Sequence, residues 1–305
     1  MISNNPNSSD VPYDNLISAI KLSDLDKVHN IINMYCWNIN FNDCDKLGMT
    51  LLHHACMYDY NYDIICMLLS LQDSEKCSQL CNRNIKDEYN RTPLMIAAIN
   101  GSADNVELLC RDLHVDVNAQ NVEKNTALHI ACTKKFKNVN IIETLLNCYD
   151  VPHKDSKISV SKKNINGETP LMLTLEYTDI SIWRMFFVKM GINREADEKY
   201  ILSIFDGAFL RKIIECGNIK FIDFLLESIG EQYMSMILNT QDAYHMKPIH
   251  YILDMPKITS DLRNMYHKFI SLGSTVTDTV MIEKSEKKGL MSKIKNTIKK
   301  SKNMI

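Results

Sequence analysis

The chain has 305 residues, of which 45% are hydrophobic and 24% charged, and its formal net charge at pH 7 is −2. This balance is typical of a soluble globular protein. No stretch approaches the roughly 20 apolar residues of a membrane-spanning helix, and the Asn- and Ser-rich start lacks the apolar run of a secretory signal. The 10 cysteines are scattered, so we expect a reducing compartment and a cytoplasmic protein.

We divide the chain into a flexible N-terminus at residues 1–13, a helical body at 14–282 and a basic tail at 283–305. The body opens near Asp14 with a helix pair that lacks the motif found further along the chain. Terminal repeats are often atypical because one of their faces meets solvent. The first pair is therefore expected to be a capping unit.

A repeated motif dominates the next part of the chain. It reads Thr92-Pro-Leu-Met-Ile-Ala-Ala and, 34 residues later, Thr126-Ala-Leu-His-Ile-Ala-Cys. A period of this length indicates stacked helix pairs. The intervals that start at Thr50 and Thr126 are longer, 42 and 43 residues. We therefore expect insertions near residues 71–84 and 148–163.

The local chemistry of one motif explains why it starts a helix. The hydroxyl of Thr92 can cap the helix, and Pro93 suits the first helical position because its missing N–H is not needed there. Leu94, Ala97 and Ala98 then lie on one face at helical spacing. A polar break and a second apolar helix follow. Neither short helix would be stable alone in water, so each pair must bury its apolar face against its neighbours.

The motif weakens after Met190, where helix patterning continues without the capping threonine. We count about seven units from this pattern. Their starts are Asp14, Thr50, Thr92, Thr126, Thr169, Ala208 and Lys247.

These motifs, together with the preceding Asp116-Val-Asn-Ala-Gln-Asn, resemble the ankyrin repeat. The resemblance implies an all-α solenoid with β-hairpin loops along one edge, and a concave protein-binding surface formed by the loops and first helices. It also implies that a histidine side chain ties neighbouring turns together. His53, His129 and His250 stand at that place, and Met95 and Met172 replace it in two units.

The hairpin tips are the candidate binding residues because their side chains are not needed for the fold. Two hypotheses are open for the apolar tips: they are exposed and anchor a partner, or they pack against the adjacent hairpin. We expect the aspartates at the first tip position to stabilise the turn. The partner-binding candidates are Lys46, Leu47, Glu88, Tyr89, Val122, Glu123, Ile165, Asn166 and Tyr244.

The tail carries eight lysines and two glutamates, a net charge of +6, which leaves −8 for residues 1–282. Three roles are open: weak contact with an anionic membrane surface, nuclear import or nucleic-acid contact, and an address for a secretion or trafficking machine. A solvated tail or a helix that caps the last repeat is the simpler alternative. The candidate membrane or targeting residues are Lys287, Lys288, Lys293, Lys295, Lys299 and Lys300.

The sequence gives little support for catalysis, and we assign no catalytic, cofactor or metal residues. The pair His53-His54 is explained by the repeat, and no nucleophile elbow, glycine-rich phosphate loop or metal-binding helix signature appears. A body of charge −8 would repel nucleic acid. An enzyme remains open only as chemistry built within residues 191–245.

The sequence therefore predicts a monomeric, non-catalytic scaffold that binds another protein through its hairpin tips and concave face. The alternative is a pathogen effector or host-range factor that recruits a host protein in the host cytoplasm. A composition rich in Asn, Ile, Lys and Tyr suggests an AT-rich genome, and intracellular bacteria and large DNA viruses often encode ankyrin proteins of this kind.

Overall fold

The computed structural model describes residues 11–35, 39–71, 81–100, 102–136, 138–148, 158–241, 246–256 and 259–274. Within these ranges the chain forms sixteen α-helices and no β-strand. Tyr244, the six candidate tail lysines and most of both expected insertions lie outside the described residues. The chain divides into two compact units, residues 1–192 and 193–305.

The first unit consists of five successive helix pairs, and a 3-10 turn at Thr174–Glu176 extends the first helix of the fifth pair. The helices are α1 Val11–Lys21, α2 Leu25–Tyr35, α3 Leu51–Cys56, α4 Tyr62–Ser70, α5 Pro93–Asn100, α6 Ala103–Arg111, α7 Ala127–Cys132, α8 Val139–Asn147, α9 Pro170–Leu173 and α10 Ile180–Met190.

Threonine starts the first helices of the second to fifth pairs, as the motif predicts. The hydroxyl oxygens of Thr50, Thr126 and Thr169 each accept a hydrogen bond from the amide three residues later, at 3.4 Å. Thr92 does the same for the amide of Met95. A cap of this kind satisfies one of the amide donors that a helix start leaves without a partner.

The helix pairs of the first unit stack in two layers. The first helices α1, α3, α5, α7 and α9 contact one another in sequence, and the second helices α2, α4, α6, α8 and α10 form the other layer. The core between them is apolar. The leucine of each motif is buried at every occurrence: Leu52, Leu94, Leu128 and Leu171.

The second unit is also helical, but it departs from the sequence prediction. Two of its helices were not predicted, α11 Glu198–Ile204 and α14 Glu231–Asn239. Asp206 caps α12 Gly207–Cys216 where the motif would have threonine, and its carboxylate accepts a hydrogen bond from the amide of Phe209 at 2.9 Å. The expected last pair is present. The helices are α11 Glu198–Ile204, α12 Gly207–Cys216, α13 Ile219–Ile229, α14 Glu231–Asn239, α15 Pro248–Asp254 and α16 Ser260–Ser271.

No helix in the described part of the chain combines the length and the apolar character that crossing a bilayer requires.

Candidate functional site

Four tight turns precede the first helices of the second to fifth pairs, and we call them the fingertip row. They comprise residues 45–48, 87–90, 121–124 and 164–167. In each turn the backbone amide of the first residue donates to the carbonyl oxygen four residues later, at 2.9 to 3.0 Å. The hairpins implied by the resemblance are thus present as short turns without strands among the described residues.

The first residue of each turn holds the loop together through its side chain. In the first turn, one carboxylate oxygen of Asp45 accepts the amides of Leu47 and Met49, at 2.8 and 2.9 Å. Asp87, Asn121 and Asn164 make the same pair of bonds in the other turns. The prediction that aspartates at this position stabilise the turn is confirmed for Asp45 and Asp87, and Asp242 lies outside the described residues.

The fourth residue of each turn adopts the left-handed conformation. Its φ angle is +73° at Gly48, +56° at Asn90, +58° at Lys124 and +76° at Gly167. Glycine has the additional advantage of space at the first turn, because a Cβ on Gly48 would lie 3.1 Å from the amide nitrogen of Glu88. Asn90 and Lys124 adopt the same left-handed angle although they carry a side chain.

Consecutive turns are joined directly by backbone hydrogen bonds. The amide of Glu88 donates to the carbonyl of Leu47 at 3.0 Å, that of Val122 to Tyr89 at 3.2 Å, and that of Ile165 to Glu123 at 3.0 Å. Each bond runs from the second residue of one turn to the third residue of the turn before it. The four turns therefore keep a fixed register along the row.

Histidine side chains add a second connection between turns. Nδ1 of His53 accepts the amide of Thr50 at 3.1 Å, and Nε2 lies 2.9 Å from the carbonyl oxygen of Arg91 in the next turn. His129 repeats this arrangement with the carbonyl oxygen of Glu168, at 3.1 Å. Burial lowers the pKa of both imidazoles, which suits a neutral ring that accepts at one nitrogen and donates at the other.

The apolar side chains of the fingertip row face solvent. Leu47 is 50% exposed, Tyr89 52%, Val122 54% and Ile165 60%. At least half of each side chain is therefore available to a partner. The polar candidates Lys46, Glu88, Glu123 and Asn166 are exposed as well.

Tyr89 has a support that the sequence prediction missed. The guanidinium carbon of Arg91 lies 4.8 Å from the centroid of the Tyr89 ring. Arg91 in turn makes two 2.7 Å hydrogen bonds to one carboxylate oxygen of Asp87, whose side chain is fully buried. The signal was present in the spacing, since an arginine two residues after an exposed tyrosine and four after a buried aspartate can reach both.

The cysteines that follow the repeated alanine belong to the core. Cys56 and Cys132 are fully buried, and burial raises the pKa of both thiols. Burial also raises the pKa of the Cys81 thiol, to about 11. Within the described residues no group of three or more His, Cys, Asp or Glu side chains could hold a metal ion.

The amino-acid sequence is similar to known proteins over the part of the chain that contains the repeated motif. Segments 16–121 and 72–155 match a family model described as ankyrin repeats, in three copies. A putative ankyrin repeat protein of fowlpox virus is 25% identical over 162 residues, which are 52% of this chain and 99% of the viral protein. A probable serine/threonine-protein kinase of Dictyostelium discoideum is 31% identical over 133 residues, 44% of this chain but only 14% of the kinase.

Proposed function

This chain is an ankyrin-repeat protein, its matched repeats lying in residues 16–155, and from that premise we propose that it binds a partner protein through the fingertip row. Ankyrin repeats are generally non-catalytic modules for binding other proteins, and the proposed role here is binding without chemistry. The observation that carries the proposal is the set of half-exposed apolar side chains on turns that are joined to one another.

The construction of the row suits tight binding. A surface that is already ordered loses little conformational entropy when a partner docks. Tyrosine is enriched among the residues that contribute most to protein interfaces. Tyr89 combines both properties, because its ring is exposed while Arg91 and the buried Asp87 hold it in place.

Charge supports a preference for a basic partner surface. Residues 1–282 carry a net charge of −8, so a basic partner would be attracted over distances of about a Debye length and less strongly at high salt. For the same reason nucleic acid is not the proposed partner of the helical body.

A photo-crosslinking experiment tests this proposal. A benzophenone side chain at position 89 should capture a specific protein, while the same group at Asn30, an exposed position on α2, should not. Tyr89→Ala should weaken recovery of that protein by about tenfold or more, as expected for a tyrosine that anchors an interface. Equal capture from both positions, or full binding by Tyr89→Ala, would remove the fingertip row from the interface.

A second candidate function is recruitment of a host-cell protein by a pathogen-encoded chain. The observation that favours it is the similarity to a fowlpox virus protein along 99% of the viral sequence. The basic residues 283–305 would then serve as a membrane, targeting or secretion element, and the site of action would be the host cytoplasm. Proximity labelling in animal cells, with and without residues 283–305, tests both parts. If neither form of the chain labels a host protein, the candidate function is contradicted.

A further inference from the structure

The edge of the first unit away from the fingertip row carries a cluster of exposed aromatic and apolar side chains. It lies in the turns that join the two helices of the first and second pairs. Leu22 is 73% exposed, Tyr60 60% and Met57 39%. Tyr58 stacks on Tyr60, with ring centroids 5.5 Å apart and an angle of 25° between the planes.

The two turns form one surface, because hydrogen bonds join them. The hydroxyl of Ser23 in the first turn donates to the carbonyl oxygen of Tyr60 at 3.4 Å, and it also contacts the side chain of Asn61. The Asn61 amide group donates to the carbonyl oxygens of Ile20 and Ala55, both at 3.2 Å. Hydrogen bonds to the first helix pair therefore fix the backbone of the turn that carries the stacked tyrosines.

The third helix pair fixes the same turn from its other side. The buried side chain of Asn105 donates to the carbonyl oxygen of Tyr58 at 3.0 Å, and Asn100 donates to that of Cys56 at 3.4 Å. A turn held from both neighbours presents its side chains without further ordering, which favours binding.

Carboxylates are frequent in the two turns and beside them in the chain. Asp59 lies between the two tyrosines, Asp63 follows the second turn on α4, and Asp24 lies in the first turn just before α2; all three are exposed. Neither Asp59 nor Asp63 has an ion-pair partner in the part of the chain that the structure describes. Segments 21–27, 57–63 and 100–104 together carry five carboxylates and two lysines.

We propose that this surface, comprising Leu22, Met57, Tyr58, Asp59 and Tyr60, is a second protein-binding site whose occupant is a segment bearing arginine or lysine side chains. A guanidinium or ammonium group can lie on the open face of Tyr60, where the ring quadrupole attracts cations. The Asp59 carboxylate next to that ring completes the contact, since a carboxylate is the usual partner of arginine. Leu22 and Met57 would contact the aliphatic part of the same segment.

The site is independent of the fingertip row. The row lies at the start of the first helices and this surface at their end, so neither requires the other. A basic segment could occupy the turn surface whether or not a partner is bound at the row.

The test uses the full-length protein and a fluorescein-labelled peptide of arginine–glycine–serine repeats, with binding followed by fluorescence anisotropy. Tyr60→Ala should weaken binding about tenfold, as expected for loss of a cation–π contact together with apolar area. Asp59→Asn should weaken it by about fivefold at low ionic strength and less at high salt. The same peptide with citrulline in place of arginine, which keeps the planar group but not the charge, should bind at least tenfold more weakly.

Two matched variants control for a general loss of negative charge and for the loss of an exposed aromatic side chain elsewhere. Glu227→Gln removes one exposed negative charge in the second unit, and Tyr35→Ala removes a tyrosine that is 45% exposed at the end of α2; both should bind the arginine peptide as the wild type does. The proposal is overturned if Tyr60→Ala and Asp59→Asn keep wild-type affinity, if Glu227→Gln loses as much affinity as Asp59→Asn, or if the citrulline peptide binds equally well. Circular dichroism should show unchanged melting for all four variants, because each changes an exposed side chain.

Discussion

At the scale of single residues, the first residues of the turns in the fingertip row bind their own turn in the same way but differ in the partner of their second side-chain polar atom. The second carboxylate oxygen of Asp45 lies 3.0 Å from Nε2 of His54, whereas that of Asp87 binds Arg91 at 2.7 Å. Asn164 instead donates from its amide group to a carboxylate oxygen of Glu168 at 3.2 Å. Asp45, Asp87 and Asn164 therefore each have a partner matched to their charge, which helps to explain how these turns keep one geometry with different sequences.

The ion pair in the second turn gives a prediction at this scale. Arg91→Ala should lower the free energy of unfolding by about 1–3 kcal/mol, because the buried Asp87 carboxylate would lose its charged partner. Urea denaturation measures this change. Arg111→Ala is the matched control: its partner Glu107 is on the surface and both side chains are largely exposed, so the expected cost is below about 1 kcal/mol.

Adding Asp87→Asn to Arg91→Ala completes the test. The asparagine keeps an oxygen for the amides of the turn but removes the charge, so the double variant should be more stable than Arg91→Ala alone. Equal loss in the single and double variants would show that Arg91 acts through packing and not through the ion pair.

At the scale of elements, each turn and the start of the helix that follows it form one continuous structural unit. The left-handed residue closes the turn, the next residue pairs with the first, and the threonine then caps the helix. This order explains why the left-handed residue always stands two positions before the threonine. It also explains why the second unit can start a helix without threonine, since Asp206 supplies an equivalent acceptor.

The two glycines of the row should differ in their tolerance of a side chain. Gly48→Ala and Gly167→Ala share the strain of a positive φ, about 1–2 kcal/mol. A Cβ at Gly48 would additionally lie 3.1–3.2 Å from backbone atoms of Asp87 and Glu88, whereas nothing lies within 4 Å of one at Gly167. Thermal unfolding should therefore show a lower melting temperature for Gly48→Ala, and equal values would mean that the first turn shifts to make room.

The histidine ties predict how stability depends on pH. The pKa values of His53, His54 and His129 are all lowered by burial from the ordinary value of 6.5. The unfolded chain therefore binds more protons than the folded one just below that value, and stability falls as pH drops below about 6.5. At His129 the added proton would occupy Nδ1, which now accepts the Thr126 amide.

Urea unfolding between pH 7.5 and 5 measures this slope. His129→Met should reduce it, because methionine occupies the same place naturally at Met95 and Met172 and does not titrate. Asp45 does not contribute in this pH range: hydrogen bonds from the amides of Met49 and Leu47 and the nearby His54 outweigh burial and lower its pKa from 3.8, so its contribution is lost only at more acidic pH. A flat profile down to pH 5 would contradict a neutral, hydrogen-bonded role for these rings.

At the scale of the whole molecule, the regular pattern and the first compact unit end together. The motif fades after Met190, Gly191 terminates α10 in the left-handed conformation, and the first unit ends at Ile192. The predicted boundaries at residues 13 and 282 stay predictions: residues 1–10 and 275–305 lie outside the described residues, and α1 begins at Val11, three residues before the predicted start of the body. Residues 283–305 carry the charge that offsets the acidic remainder.

Deleting residues 283–305 should leave the helical body folded, because the helices of each unit bury their apolar side chains against one another within residues 11–274. Circular dichroism should show the same melting curve for the shortened chain. If the tail contacts anionic membranes, pelleting with phosphatidylserine vesicles should disappear with the deletion while pelleting with neutral vesicles stays low throughout. Binding to anionic vesicles that survives the deletion would assign membrane contact to another part of the chain.

The sequence by itself determined the helix starts, the repeat period, the buried leucines and the candidate tips, because caps and helical faces depend on residues within about four positions of one another. It could not show that Glu88 bonds to Leu47, that Arg91 supports Tyr89, that α11 and α14 form, or that the turns around Ser23 and Tyr60 share one surface. Most of these join groups distant in the chain, and packing decides which carbonyl or ring each group meets. The interaction surfaces therefore belong to the tertiary structure, although the sequence supplied every side chain in them.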